Sequence, residues 1–395
     1  MAHLLDTISF GAIVTVRDRL LAQAASGRRI YRLESGDPSF DTPPHVREAI
    51  EKALRDGHTH YTASTGIAPL RDAIVAKLRA ENGLHVDHAD QVVVTSGGMH
   101  ALFLVFAGLL DPGDEVLMPD PMWTEIAENI RLAGGVPVRV PLRLDGGDPW
   151  TVADLESRIT PRTRAIFVNT PHNPTGVVFG RPLLQAIVDL AERRNLAIVS
   201  DEAYEHVIFD GETHVSIGSL PGAAERTISL YSTSKSYAMS GLRVGYVHAR
   251  DATVLERMKK LLRCSTNGVN SIAQWGAAAA LKAGGAASRA MSDVYQARRD
   301  LLVEGLSGLG VLHPYVPRGS FFLWARIDPA WSGYRGRNDD EAMTDFLIDG
   351  QGVGSAPGTA FGPAGAGHVR FAFSAATPEI EAAVAALRAM LAPGA

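Results

Sequence analysis

What most constrains this chain is a regular alternation from about Gln91 to His248, where short apolar, β-branched runs are separated by longer segments of helical period. That alternation is the mark of βαβ units, which bury a mostly parallel sheet between helices. The predicted strands are Gln91–Thr95, Glu115–Met118, Val136–Val140, Ala165–Asn169, Ala197–Ser200, Thr227–Tyr231 and Val244–His248. Most are apolar nearly throughout, as strands covered on both faces should be. A helix-prone stretch from Ile272 to Leu306 follows, then shorter strands around Ser320–Ala325 and His368–Phe373, which predict a smaller α+β unit. The expected fold class is therefore α/β: a large domain with a mostly parallel seven-stranded sheet sandwiched by helices, plus a smaller α+β domain. The expected boundaries are 1–45 for an N-terminal segment joining the small domain, 46–285 for the large domain and 286–395 for the small one.

Composition removes several classes of function. The formal net charge of -5 is spread without long runs of one sign, so neither nucleic acid nor a membrane surface is an expected partner. Cys264 is the single cysteine, which excludes an intramolecular disulfide and a cysteine-based metal cluster, and no metal is expected. The longest apolar run, Ala101–Leu110, is far short of a bilayer span, and the first residues lack a leader pattern, so a cytoplasmic location is expected.

Open α/β sheets bind ligands just beyond their strand ends. After Thr227–Tyr231 stand Ser232-Thr233-Ser234-Lys235 and then Gly241-Leu242-Arg243-Val244-Gly245-Tyr246. A partly desolvated lysine at a sheet end gives up its proton more readily and suits Schiff-base chemistry as nucleophile and base. Taken alone it reads more simply as a solvated surface charge. Ser232 and Arg243 are suited to share one anion, by a hydroxyl and a planar fork of donors. After Ala197–Ser200, Asp201 and Tyr204 aim an acid and a phenol at the same crevice, against plainer readings as a helix N-cap and a half-buried aromatic. Thr170 to Gly176 is a Pro/Gly turn that ends a strand beside these motifs. Thr95-Ser96-Gly97-Gly98-Met99 leads into an apolar helix from Ala101, leaving free amides at a positive helix end where a phosphate can sit.

These motifs occur with G-D-P-S-F-D-T-P at Gly36–Pro43, Tyr61, Gly66, Leu70 and Arg71, D-P-G-D-E-V at Asp111–Val116, and H-N-P-T-G at His172–Gly176. S-D-E-A-Y at Ser200–Tyr204, P-G-T-A-F-G at Pro357–Gly362 and V-R-F-A-F at Val369–Phe373 complete the set. On them the chain resembles, over nearly its whole length, the class I/II aminotransferases of pyridoxal 5′-phosphate (PLP) fold type I. The resemblance implies PLP as cofactor and a role for each matched residue. Lys235 is then the lysine that binds the cofactor covalently and moves the substrate's Cα proton. Asp201 pairs with the pyridine nitrogen, Tyr204 and Asn173 hydrogen-bond the ring oxygen, and Trp123, in place of a commoner tyrosine, stacks on the ring. The phosphate meets Ser232, Arg243 and the amides of Gly98 and Met99, with Tyr61 arriving from the other subunit of a homodimer. Arg370 clamps the substrate α-carboxylate beside Asn173, and Gly36 closes over it. The implied reaction is a ping-pong transfer of an amino group from an L-amino acid to a 2-oxo acid.

Other PLP reactions use the same cofactor motifs, so a C–S β-lyase, a decarboxylase or an oxidase stays open at this point. The S-x-x-K string also occurs in serine β-lactamases, but K-T-G and S-D-N partners are missing, and Ser232 follows a strand where that family needs a helix start. One branch of aspartate-specific relatives carries a lysine after the Gly-Gly of the phosphate loop, where this chain has Met99. A thioether offers no charge, so neutral aliphatic or aromatic donors are expected, with glutamate or 2-oxoglutarate tolerated. The opposite reading has Arg17 or Arg19 supplying the missing charge.

Overall fold

The computed structural model describes residues 5, 6, 8, 11–144 and 146–391. Each predicted strand of the large sheet forms: β1 (Val92–Thr95), β2 (Glu115–Asp120), β3 (Val136–Pro141), β4 (Thr163–Asn169), β5 (Ala197–Asp201), β6 (Thr227–Ser232) and β7 (Gly245–Ala249). Their order is β1-β7-β6-β5-β4-β2-β3. Strands β2 to β6 pair in parallel, while β7 runs antiparallel to both β6 and β1.

Successive side chains of a strand point to opposite faces, and both faces are covered. Phe167 and Val199 pack with the helix Gly97–Leu109, whereas Ile166, Val168 and Ile198 pack with the helix Arg181–Arg194. This double burial is why the runs read as continuously apolar. The stretch expected to be helical from Ile272 to Leu306 is two helices, Ser271–Lys282 and Ala286–Leu306. The break falls at Gly284, whose φ of 71° leaves the right-handed helical region.

The second sheet comprises β8 (Leu312–Tyr315), β9 (Phe322–Ile327), β10 (Ala356–Pro357) and β11 (His368–Ala372), all antiparallel in the order β10-β11-β9-β8. The N-terminal segment is stitched onto this unit: Tyr31 bridges Val353, and the Leu33 carbonyl accepts the Ala372 amide. Gly36 is thereby pressed on Phe322, where a Cβ would lie 2.9 Å from a ring carbon. Among the described residues no helix is long and apolar enough to cross a membrane.

Candidate active site

Beyond the ends of β4, β5 and β6 lies a cavity of about 390 Å³, closed on its far side by β11, Phe322 and the N-terminal segment. It gathers every predicted site residue except Tyr61: Gly36, Gly98, Met99, Trp123, Asn173, Asp201, Tyr204, Ser232, Lys235, Arg243 and Arg370.

Strand β6 delivers the lysine. Ser232 ends the strand and accepts the Ser234 amide at 3.2 Å, capping the single-turn helix Thr233–Ser236. The helix-start argument against an acyl-transfer site therefore fails, and the missing partner motifs alone carry that exclusion. Lys235 Nζ donates to the Gly36 carbonyl at 2.7 Å. Burial brings its ammonium down to about 8, with Asp37 opposing the shift. The amine is thus largely free of its proton in mildly alkaline water, as a nucleophile requires.

Strand β5 delivers the acid. Burial pushes the Asp201 carboxyl up to about 6, although the Ala203 amide donates to its Oδ1 at 3.1 Å. That amide contact is the capping role of the plainer reading, so Asp201 both caps and faces the cavity. Asn169, which sequence reasoning passed over, stands opposite Asp201 in the β4–β5 register. Its Nδ2 donates to the Asp201 carbonyl at 3.1 Å and its Oδ1 accepts the Asn173 amide at 2.9 Å. Tyr204 is buried edge-on to Phe321 and Phe322, with ring centroids 5.2 and 5.8 Å away. Burial holds its phenol above the ordinary value, so it is a neutral O–H donor.

Two separate seats for anions face the cavity. The first surrounds the start of the helix Gly97–Leu109, whose N-cap Ser96 makes no side-chain capping bond, so the first amides stay open. A Cβ on Gly97 would stand 2.3 Å from Arg243 Nη2, and one on Gly98 would lie 3.7 Å from Ser232 Cβ. Only glycine lets the guanidinium lie flat on this turn, and Gly97 also has a φ of 78°. Arg243 is steadied by a 2.7 Å bond from Nη1 to the Ser240 carbonyl. Beneath, a Cβ on Gly245 would press on the Gly98 amide nitrogen at 3.0 Å.

The second seat is Arg370, 3% exposed on β11. Its Nη1 donates to Asn173 Oδ1 at 3.1 Å and its Nη2 to the Glu34 carbonyl at 2.7 Å, while its buried Nε has no partner. It lies over the Phe322 and Phe361 rings at 4.2 and 4.8 Å. Burial lowers it to about 10, so it remains a cation, held by neutral acceptors and suited to a carboxylate. An anion seat, an acid, a phenol, a desolvated amine and the Trp123 wall could together hold PLP, and the neighbouring Arg370, with its Nε unpaired, could hold a substrate carboxylate.

Sequence reasoning missed Arg32, Glu34, Met122, Glu125 and Phe322, which also line the cavity. They come from separate stretches of chain and carry no local motif. The two alternative cations part company. Arg19 pairs with Asp345 and Asp349, and Arg17 lines the cavity but pairs with Asp18 at 2.8 Å. Tyr61 is 94% exposed, beside Thr266–Ser271 and away from the cavity.

Residues 28–387 match the model of the family described as aminotransferase class I and II. An aspartate/prephenate aminotransferase of Thermus thermophilus is 38% identical over 377 residues, covering 94% of each chain. An arginine–pyruvate transaminase of Pseudomonas aeruginosa is 40% identical over 352 residues, covering 89% of this chain and 87% of that one. The solved structure of the Thermus thermophilus aspartate aminotransferase with maleate superposes with a TM-score of 0.91 at 36% identity, covering 99% of both chains.

Proposed function

The chain belongs to the class I and II aminotransferases, PLP enzymes of fold type I, and from this premise we propose how its own residues divide the work and which donor it takes. When bound, PLP supplies an aldehyde that condenses with amines and a protonated ring that draws electrons from the substrate's Cα. Everything else falls to the chain. Lys235 would hold the cofactor's aldehyde carbon through its amine and would serve as the base that moves the substrate's Cα proton. Asp201, a carboxylate above pH about 6, sets its charge against the ring nitrogen. Tyr204 and Asn173 would donate to the ring oxygen, and Trp123 would cover the ring face. Ser232, Arg243 and the amides of Gly98 and Met99 hold the phosphate, while Arg370 and the closing Gly36 orient the α-carboxylate. The observation that carries this division is the convergence of Lys235, Asp201, Arg243 and Arg370 on one cavity.

The relatives' names span acidic and basic donors, so the donor is argued from the cavity itself. Ile13, Val14, Met99, Leu102, Met122 and Trp123 make its side-chain wall apolar. Among the described residues that wall offers a distal carboxylate no buried cation, since Arg17 stands half-exposed beside Asp18, and burying the carboxylate unpaired costs several kcal/mol. Neutral aliphatic or aromatic amino acids are therefore the expected donors, with a 2-oxo acid as acceptor. Single-turnover half-reactions test both points. Leucine and phenylalanine should yield pyridoxamine phosphate and the 2-oxo acid, with kcat/KM at least tenfold above aspartate. Ammonia and pyruvate formed from a donor with a β leaving group, such as S-methylcysteine, in place of its 2-oxo acid would replace transamination by elimination, and aspartate ahead by tenfold would overturn the donor assignment.

The chain is further proposed to act as a homodimer, because an almost fully exposed tyrosine in a loop of His58, Thr59 and His60 is better explained as a contribution to a neighbour's phosphate seat. Sedimentation velocity should give a dimer for the active enzyme; an active monomer at working concentration contradicts it.

A further inference from the structure

Taken one at a time, the charged groups of the cavity leave one unspent. Lys235, Asp201, Arg243 and Arg370 are used by the cofactor and the α-carboxylate. Arg17 pairs with Asp18, Arg32 with Glu34, and Asp37 accepts the Ser240 hydroxyl at 2.6 Å. Glu125 remains. It lines the cavity from the first turn of the helix Thr124–Leu132, just after the Trp123 wall, and its Oε2 is buried without a hydrogen-bond donor.

We propose that Glu125 is a specificity-determining residue: beside the neutral aliphatic and aromatic donors, and among amino acids whose apolar stem ends in a polar group, the cavity favours a cationic nitrogen end, a guanidinium or an ammonium, over an uncharged or acidic one. The inference rests on the aminotransferase reading and refines only the far end of the side chain. The stem needs the apolar wall described above, and the end needs what a buried carboxylate lacks, a charged N–H donor. Burial pushes the Glu125 carboxyl up, while its own backbone amide and Arg370 draw it down, so no side-chain donor is among the groups that bind it. An acidic side chain would face the Glu125 carboxylate, while Glu34, also in the lining, is held by Arg32. A plainer role for Glu125 is to complement the positive start of its helix, which needs the charge but no particular ligand.

Arginine and citrulline separate the two roles, since they share a shape and differ in charge. Their α-methyl derivatives lack the Cα proton, so calorimetry on the PLP-loaded enzyme reads binding without turnover. The wild type should bind α-methyl-L-arginine at least tenfold tighter than α-methyl-L-citrulline, about 1.4 kcal/mol. Glu125→Gln should bring the ratio below twofold, and Glu125→Asp should retain part of it. Equal binding of the two ligands by the wild type, which needs no variant to fold, overturns the proposal. So does a preference that survives Glu125→Gln. The outcome is independent of the half-reaction: failure of amino-group transfer removes the transaminase reading, whereas a lost binding preference removes only this one.

Discussion

Lys235→Ala should leave a folded protein that holds PLP without a covalent bond and turns over at least about 10³-fold more slowly, because one side chain supplies both the link and the base. The fold should survive. Lys235 reaches into the cavity from a single-turn helix, and its one strong contact is the bond to the Gly36 carbonyl. Borohydride should fix the cofactor to the wild-type chain and wash free from the variant, which denaturing mass spectrometry reads directly. The wild type carries a second signature. A lysine lowered to about 8 is charged below that pH and neutral above it, so apoenzyme should capture PLP faster as pH rises through about 8 and level off beyond it. Covalent fixation that persists in the variant would place the link on another residue.

Arg370→Leu should cost nearly as much by a different route. Removing one partner of a buried charge pair costs about 2–5 kcal/mol, which puts the expected loss in kcat/KM at roughly 30- to 5 × 10³-fold. The loss should be shared by every α-amino acid, because the α-carboxylate is common to all of them. Cofactor affinity should change little, since the phosphate seat at Gly97, Ser232 and Arg243 is separate. Arg370→Lys keeps a charge but loses the planar fork that lies over Phe322 and Phe361, so it should fall between the two. Stopped-flow binding and steady-state rates with two unlike donors check this. A loss confined to one donor would move Arg370 from the α-carboxylate to the side-chain pocket.

The central strands were legible because both their faces are covered, so they read as apolar runs, and two of them end at functional residues, β5 at Asp201 and β6 at Ser232. The antiparallel sense of β7 was not, since strand direction depends on pairing and leaves no trace in a run of apolar residues. The two-residue β10 was missed for want of length, and β8, Leu-His-Pro-Tyr, for want of an apolar run. In the site, residues inside contiguous motifs were found: Lys235, Asp201, Asn173, Arg243. Asn169 closes a predicted strand but reads as its last residue until the β4–β5 register sets it against Asp201. Glu125 and Glu34 look like ordinary acids in the sequence. Their meaning comes from burial and the absence of a donor, which only the packed cavity reveals.

The order β1-β7-β6 has a consequence for how the protein is made. The turn at Gly97–Gly98 belongs to β1 and leaves the ribosome early, yet its support, Gly245, lies on the last strand of the sheet to be synthesised and slots between β1 and β6. The phosphate seat is a joint between segments about 150 residues apart, completed only when β7 closes the gap.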